Sequence, residues 1–380
     1  MRSSTALALT GFSLIAATYG MARFSWGLML PAISPDIPFT PQQAGLLSAC
    51  SFAAYCFTIL TSAALTERYG TRVTALLASL SAAAGLLLLA SASSVLMLAA
   101  GLFIAGLSSG LASPALAAAV SHRIPAARQP RTNTLINAGT SAGIILTVVI
   151  LSMLPGGWRA ACLLFALLSL LCVLPVMRVL KDQAAERTSR VRHWQQRFYR
   201  RTMRQLMGIA LMSGLVSAAW WSFGSALLRQ HVGVDAETAR LLWLIAGSAG
   251  IVGAATGLVA ARIGLNGVYR LSLCGMALLV LAMSHGESIG LGIAVACCGA
   301  GYVTLSGVLL VWGARATAED PATGVSILFF MLAVGQVVGS LLFGQLYACW
   351  GATTALTLFA IVALLLLFIA PAKNSGEAVK

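Results

Sequence analysis

The sequence predicts an all-α integral membrane protein of twelve transmembrane helices, arranged as two six-helix bundles related by a pseudo-two-fold axis along the membrane normal. Three observations predict this fold class. The chain is 59% hydrophobic and only 9% charged, whereas soluble domains contain about 25% charged residues. Apolar runs of about 20 residues, each long enough to cross a bilayer core as a helix, follow one another along the chain. A short segment near residue 65 also recurs faintly in the second half.

Twelve apolar runs define the expected spans. Each must be helical, because lipid offers the backbone no hydrogen-bond partners and a helix satisfies its own. The alternation of apolar and polar residues that a membrane β-barrel requires is absent from the sequence. Turn residues separate the closest pairs of runs, at 91–94 and 155–157. The expected spans are 6–31, 42–65, 73–92, 95–120, 133–154, 158–178, 205–228, 238–260, 268–285, 289–313, 323–346 and 350–370.

The basic residues predict the orientation. The formal net charge of +14 could suggest a nucleic-acid partner, but the placement of the charge argues against one. Of the 24 Lys and Arg residues, all but Arg23, Arg159, Arg229 and Arg240 lie in or beside the loops on the N-terminal side. This bias predicts a multi-pass protein of the bacterial inner (plasma) membrane, with both termini cytoplasmic and no nucleic-acid partner.

A basic segment divides the chain. We expect an N-terminal six-helix bundle over residues 1–178, a cytoplasmic linker over 179–204 and a C-terminal six-helix bundle over 205–380. Four linker arginines recur at helical spacing, which permits an amphipathic helix on anionic membrane lipids. A solvated linker that fixes the topology accounts for the same charges and is the interpretation we favour. These arginines are Arg197, Arg200, Arg201 and Arg204.

Sequence echoes relate the two halves. Residues 63–72 are mirrored by 257–266, and F-S-W-G at 24–27 is mirrored by W-S-F-G at 221–224. Because six spans is an even number, both copies keep the same orientation in the membrane. Bundles built from two such halves are typical of carriers. The identical residues in the echoes include Arg68 with Arg262, Gly70 with Gly264, Gly139 with Gly335, and Gly143 with Gly339.

The segment at residues 63–72 carries a family resemblance. It reads A-A-L-T-E-R-Y-G-T-R, close to the G-x-L-x-D-R-x-G-R-R loop between spans two and three of the major facilitator superfamily. Residues 19–24, followed by Leu30 and Pro31, resemble the first span of a poorly characterised bacterial branch. The chain is identified by this resemblance as a member of that superfamily. The resemblance implies twelve helices and secondary transport by alternating access, without fixing the substrate.

The resemblance also implies a conformational latch at the cytoplasmic surface. In the family, the acidic residue of this loop contacts the N-terminus of the eleventh span and helps to hold that side closed. A helix N-terminus attracts an anion by about 0.3–1 kcal/mol. A generic charged turn is the alternative interpretation. The expected latch residues are Glu67, Arg68, Gly70 and Arg72, with Arg262 and Gly264 from the second copy.

Arg23 is the one charged residue well inside an expected span. None of the ten carboxylates lies near the middle of a span, which disfavours a buried acidic proton relay. The coupling ion, proton or sodium, remains open, with Asp36 and His122 as candidate proton sites. Tyr19, Arg23 and Trp26 fall at i, i+4 and i+7, on one helix face. A guanidinium group suits a carboxylate or phosphate, and an arginine that caps carbonyls or snorkels outward is the alternative.

Aromatic and amide side chains of spans five, seven, ten and eleven complete the expected substrate site. Aromatic walls with a few polar groups suit a small organic ligand. For any single aromatic residue, packing or anchoring at the membrane interface is the alternative. The expected substrate-binding residues are Tyr19, Arg23, Trp26, Asn137, Trp220, Trp221, Tyr302 and Gln336.

The sequence predicts neither an enzyme nor a cofactor. The eight cysteines lie in or at the ends of spans without metal-ligand spacing, so we expect no metal site, and no nucleophile–base arrangement is evident. We expect a monomeric secondary active transporter of a small organic solute, with an organic anion preferred. A proton-linked multidrug or amphiphile exporter is the alternative within this class. A transporter-like membrane sensor is the alternative from another class.

Overall fold

All the regular secondary structure in the described part of the protein is helical. The computed structural model describes residues 2–181, 201–251, 256–286, 290–317 and 321–369. No β-strand is present in these residues, as expected for segments that satisfy their own backbone hydrogen bonds in lipid. The α-helices are Arg2–Ile15, Ser25–Ile33, Pro41–Ala90, Val95–Arg123, Gln129–Met153, Gly157–Leu171, Val173–Val179, Arg201–Leu227, Ala236–Gly250, Thr256–Ser284, Leu291–Ala316 and Pro321–Leu366.

Two of these helices are too long for one crossing. Pro41–Ala90 has 50 residues and Pro321–Leu366 has 46, whereas about 20 residues cross the hydrocarbon core. The hydroxyl oxygens of Thr66 and Thr74 are 3.3 Å apart, although eight residues of straight helix would separate them by about 12 Å. The chain therefore reverses between them, and spans two and three form a helical hairpin. A break at Gly351 likewise separates spans eleven and twelve.

Glycine makes these breaks possible. Gly70, Gly264 and Gly351 have φ of 85°, 74° and 82°, with ψ of 166°, 160° and 171°. Only glycine adopts this backbone conformation without strain. Gly70 and Gly264 occupy equivalent places in the repeat, so the same geometry recurs in both halves. The polar loop expected over residues 66–72 is consequently a sharp turn between two helices.

The first span is interrupted near its middle. A π-helix precedes the interruption, and the N–H of Phe24 donates to the carbonyl of Tyr19, five residues back. Interrupted spans are typical of substrate sites near the middle of the membrane. Because the interruption rotates the turn that follows it, residues on its two sides do not share one face. The segments of this span are Arg2–Ile15, Ala16–Met21 and Ser25–Ile33.

The same close contact between helices occurs in both halves. Gly139 and Gly143 of the fifth span lie against backbone carbonyls of the first span, and Gly335 and Gly339 of the eleventh span lie against carbonyls of the seventh. A Cβ atom at any of the four positions would overlap the carbonyl that it faces. Only glycine allows helices to approach this closely. The carbonyls belong to Phe12, Ala16, Leu211 and Leu215, respectively.

The two halves meet along a seam. We call the end of the bundle with the N-terminus and the turn at Gly70 the basic end, and the other end the opposite end. On the side toward the opposite end, Gly27 contacts the backbone of Trp221, and Gly45 contacts the backbone of Ser340. Close backbone contacts across the seam therefore hold the halves together there.

The described residues account for the expected spans. They contain nine helical stretches that are long and apolar enough to cross a membrane. Two of these contain two spans each, because of the breaks at Gly70 and Gly351, and the eighth span is described on both sides of 252–255. Of the linker expected over 179–204, residues 182–200 lie outside the described residues, so its helix and the domain limits stay predictions. Arg201 and Arg204 belong to the helix Arg201–Leu227.

Candidate functional site

A small cavity lies between the two halves near the middle of the bundle. Its walls come from spans one, two, five, ten and eleven. It has about 30 Å³ of free space, room for one or two water molecules rather than for an organic solute. In this conformation the two halves are therefore close together around the site. The polar and aromatic lining includes Tyr19, Arg23, Tyr55, Asn137, Tyr302 and Gln336.

Arg23 lies at the interruption of the first span and is only 5% exposed. Its Nη2 donates to Oε1 of Gln336 at 2.8 Å, a hydrogen bond from the first half to the second. Its guanidinium carbon lies 4.1 Å from the ring centroid of Tyr55. An aromatic face attracts a cation by about 0.5–2 kcal/mol. Three more rings lie 5.1–5.6 Å from this carbon, those of Phe52, Phe24 and Tyr19.

Gln336 connects Arg23 to the second half. It is fully buried, and its Nε2 donates to the hydroxyl of Tyr302 at 3.1 Å and to Oγ of Ser217 at 3.3 Å. An arginine has donors but no acceptor, so the amide must present its oxygen to Arg23 and its nitrogen to the second half. The orientation of Gln336 is therefore decided by its neighbours.

The positive charge of Arg23 has no carboxylate partner among the described residues. The described lining of the cavity contains no Asp or Glu, and the buried Nε of Arg23 has no hydrogen-bond partner. An arginine at the centre of a membrane helix costs about 2.5–3.5 kcal/mol, and one hydrogen bond to a charged group contributes about 1.5–3 kcal/mol. The fold thus tolerates a buried positive charge that no described carboxylate neutralises.

The cavity opens toward the basic end. Asn137, on that side, is exposed, and Ser306 and Phe329 are half-buried. On the other side, Gln336 is 0% exposed and Phe24 is 2% exposed. Solvent therefore reaches the cavity from the basic end, while the side toward the opposite end is closed.

Three aromatic rings form a seal on the closed side, which we call the aromatic seal. The ring centroids of Phe24 and Trp221 are 4.5 Å apart, and that of Tyr302 lies 5.1 Å from Trp221 and 6.0 Å from Phe24. Phe24 and Trp221 begin the two mirrored motifs, so equivalent positions of the repeat meet across the seam. The three rings therefore close this side of the cavity.

Comparison with known families identifies this arrangement. A family model described as the Major Facilitator Superfamily matches residues 12–326. This range includes the aromatic seal and all of the cavity lining except Phe329, Leu332 and Gln336. The chain belongs to the Major Facilitator Superfamily. No curated protein sequence matches it.

Solved structures of this superfamily fold resemble the chain closely. A mutant of the nucleoside transporter NupG has a TM-score of 0.78 at 12% identity, over 95% of this chain and 98% of that chain. The xylose transporter XylE from E. coli, in a partially occluded inward open conformation, has a TM-score of 0.77 at 12% identity, over 96% and 97%. At these identities the likeness shows the fold alone. Family and fold together make the chain a secondary transporter of small solutes and not an enzyme.

Five of the eight expected substrate-binding residues line the cavity of this superfamily member, and three lie outside its lining. Trp26 donates Nε1 to Oγ of Ser48 at 2.8 Å. The interruption of the first span turns this side chain away from the cavity, so Trp26 does not share a face with Tyr19 and Arg23 as expected. Trp220 stacks on Trp243 with centroids 4.6 Å apart. Trp221 belongs to the aromatic seal. The five lining residues are Tyr19, Arg23, Asn137, Tyr302 and Gln336.

The second span supplies two aromatic residues that the sequence did not predict for the site. Phe52 and Tyr55 supply the two ring faces nearest to Arg23, and neither was an expected site residue. Their spacing of three places them on one side of a helix. That spacing is common in any apolar span, so only their position beside Arg23 distinguishes them.

The expected latch residues lie at the basic end. Arg72 donates Nε to a backbone carbonyl at the end of the sixth span at 2.7 Å, which ties spans three and six within one half. Arg68 and its repeat equivalent Arg262 are both exposed. Glu67 is half-buried, and its expected partner helix adjoins residues 318–320, which are not described. The contact of Glu67 with the eleventh span stays a prediction.

The two candidate proton sites lie away from the cavity. Asp36 accepts a hydrogen bond from Nε1 of Trp158 at 2.8 Å and lies 3.9 Å from Nε of Arg159. Both members of this ion pair are more than a third exposed, so it contributes about 0–1 kcal/mol. His122 is exposed at the basic end. The identity of the coupling ion therefore stays open.

Proposed function

We propose that this transporter carries a small organic anion across the bacterial inner membrane by alternating access, with both termini cytoplasmic. One observation carries the proposal: Arg23 is buried beside the cavity at the seam without a described carboxylate to neutralise it. The superfamily fold supports the movement of two halves, and the basic loops support the orientation. The basic end is then cytoplasmic, and the cavity opens inward.

Gln336 occupies the position that a substrate carboxylate would take. Its amide oxygen accepts a hydrogen bond from Arg23 at 2.8 Å, as a carboxylate oxygen would, but it carries no full charge. A carboxylate can accept two parallel bonds from a guanidinium group, each roughly twice as strong as a neutral hydrogen bond. An arriving anion therefore displaces the amide oxygen from Arg23.

This displacement links binding to movement. The bond between Arg23 and Gln336 crosses the seam, so its loss removes a contact that holds the two halves together at the cavity. One half then rocks against the other, and the aromatic seal of Phe24, Trp221 and Tyr302 parts. The glycine contacts of spans five and eleven lie within each half, so each half moves as a unit.

The lining favours an anion with a flat apolar body. Tyr19, Tyr55 and Tyr302 line the cavity, and Asn137 and Thr140 add polar groups. Aromatic walls with a few polar groups bind small organic ligands. A proton-linked exporter of cationic drugs would need an acidic group at the site, and the described lining offers none. Anion transport is therefore better supported than drug export.

Uptake of labelled organic anions into proteoliposomes tests the proposal. We expect at least one radiolabelled monocarboxylate, with benzoate as the first probe, to accumulate when the wild-type protein is present. Arg23→Gln should lower that uptake by about tenfold or more, because the charge-assisted bonds are lost. Arg23→Lys should recover only part of it, because lysine keeps the charge but lacks the planar fork.

Arg178→Gln is the matched control. Arg178 is an exposed arginine at the basic end and does not line the cavity, so its loss should leave uptake at the wild-type rate. Full activity of both Arg23 variants would remove Arg23 from the site. Proton flux stimulated by drugs, without any dependence on anions, would favour the exporter instead.

The proposed functional unit is a single chain. Both walls of the cavity and the aromatic seal come from one chain, so transport needs no second copy. We propose that the two bundles run over 1–178 and 205–380 and are joined by the basic segment 179–204. Uptake that rises with the square of the protein density in liposomes would contradict a monomer.

A further inference from the structure

We propose that a second cavity, toward the opposite end of the seam, binds the carboxylate of a small organic anion through Arg229 and Arg240. This inference rests on the proposed function and adds a second binding position to the same path. The cavity is lined by spans one, five, seven and eight, so both halves contribute to it. Its free space of about 40 Å³ has room for the carboxylate group but not for the rest of the solute in this conformation, so the body of the anion enters as the two halves part.

Arg229 and Arg240 lie toward the opposite end, whereas most Lys and Arg residues lie in or beside the loops of the basic end. Among the described residues, only three Lys or Arg residues lie toward the opposite end, and the third, Arg159, contacts Asp36 and two backbone carbonyls. Neither Arg229 nor Arg240 has an ion pair with another described residue. Arg229 is exposed and Arg240 is half-buried, and both line one cavity at the seam without an ion-pair partner among the described residues.

The nearest acidic residues along the chain are committed elsewhere or exposed. Asp235 caps the eighth span by accepting hydrogen bonds from the backbone of Glu237 and Thr238. Hydrogen bonds from the side chain and backbone of Thr238 hold the pKa of Asp235 below its ordinary value. Glu237 is exposed and does not line the cavity. The arginines therefore remain the charged groups of this cavity within the described residues.

The lining has the composition that an organic carboxylate needs. Arg229 and Arg240 come from spans seven and eight, and Ser225 lies one helical turn before Arg229. The facing wall from the first half is apolar and includes Met29 and Leu151. Guanidinium groups bind a carboxylate through paired hydrogen bonds, and an apolar wall covers the body of the ligand.

The two cavities lie in series along the first span. Phe24 belongs to the lining of the first cavity and to the aromatic seal, while Leu28 belongs to the second cavity. Four residues of helix correspond to about 6 Å along the axis. An anion that passes the aromatic seal would therefore meet Arg229 and Arg240 next, and an anion that arrives from the opposite end would meet them first.

Binding of labelled benzoate to protein in nanodiscs of phosphatidylcholine separates the two positions. Wild-type protein should bind benzoate in two saturable components. Arg23→Gln should remove one component and keep the other. Arg229→Gln combined with Arg240→Gln should remove the component that Arg23→Gln keeps, and each single variant should weaken it by about tenfold. Arg178→Gln combined with Arg270→Gln removes the same charge from two positions that line neither cavity and should keep both components.

The outcomes distinguish this site from the first one. If Arg23→Gln protein binds no benzoate, or if the remaining component ignores Arg229 and Arg240, the second site is overturned and the Arg23 site stands. If binding needs Arg229 and Arg240 but not Arg23, the second site stands and the proposed function is overturned. If phosphatidylglycerol in the nanodisc suppresses the second component at every benzoate concentration, the arginines bind a lipid headgroup and this proposal fails.

Discussion

Position 23 and its repeat equivalent, position 220, show what the two halves share and where they differ. Arg23 lies at an interrupted span and points its charge at the cavity, whereas Trp220 lies in an unbroken helix and stacks on Trp243. One residue later, Phe24 and Trp221 meet across the seam. The features that the two halves share therefore form the scaffold. The charge comes from Arg23, at a position where the second half has Trp220 instead.

The largest expected effect on uptake comes from placing a carboxylate of the protein beside Arg23. Gln336→Glu places a carboxylate on the atom that now accepts the bond from Arg23, so a substrate must compete with a tethered anion. We expect uptake of the best labelled monocarboxylate to fall about 10- to 100-fold, from the 1.5–3 kcal/mol of a charged hydrogen bond. Initial uptake rates in proteoliposomes measure this.

Gln345→Glu is the control for that variant, because Gln345 is exposed on the same helix and does not line the cavity. It should transport normally. Wild-type uptake by Gln336→Glu protein would mean that the anion does not use Arg23, and the contrast between positions 23 and 220 would lose its functional meaning.

Adding a side chain at matching glycine positions of the repeat should destabilise the two halves by similar amounts. Gly139→Val and Gly335→Val each force a side chain against a backbone carbonyl of the neighbouring span. We expect each to lower the free energy of unfolding by about 1–3 kcal/mol, measured by thermal denaturation in detergent. Gly208→Val is the control, since a Cβ atom there meets nothing within 4 Å. A large effect in one half alone would contradict a shared scaffold.

The aromatic seal should couple the two halves energetically. A double-mutant cycle with Phe24→Ala and Trp221→Ala should give a coupling of about 0.5–1.5 kcal/mol, because ring pairs at this separation attract beyond their buried area. Denaturant unfolding of the four proteins measures it. Phe359 packs on Phe343 instead, so the effects of Phe24→Ala and Phe359→Ala on the free energy of unfolding should be additive. Additivity in both cycles would show that the seal does not join the halves.

The smallest expected effect is that of removing the acid of the expected latch, Glu67, which has no acidic counterpart in the second half. Glu67→Gln removes the acid, and Ala261 already stands at the equivalent position. We expect the inward-open population to rise by up to about fivefold, from the 0.3–1 kcal/mol of a charge at a helix N-terminus. Alkylation of Ser306→Cys at the cavity mouth, above the background of native thiols, measures it.

Glu237→Gln, an exposed acid near the opposite end, is the control for the latch and should leave the alkylation rate unchanged. Unchanged alkylation in Glu67→Gln protein as well would count against the latch and would leave residues 66–72 as a turn.

Much of the scaffold could be predicted because its causes are local. Apolar runs of membrane length specify the spans, and basic loops favour one orientation. The turn at Gly70 and its copy at Gly264 follow from a backbone conformation that only glycine adopts without strain. These features depend on neighbouring residues and on lipid, so a single sequence is sufficient to predict them.

The site depends on contacts between distant spans, which the helical periodicity of the sequence does not predict. By itself, the sequence determined the spans, the repeat and the presence of a charge at Arg23. The tertiary structure decided that Gln336, 313 residues away, accepts the bond from Arg23, that Tyr55 lies beneath the guanidinium, and that Trp26 points elsewhere. The physical reason is that a regular helix repeats every 3.6 residues, whereas the interrupted first span and the packing of distant spans follow no such period.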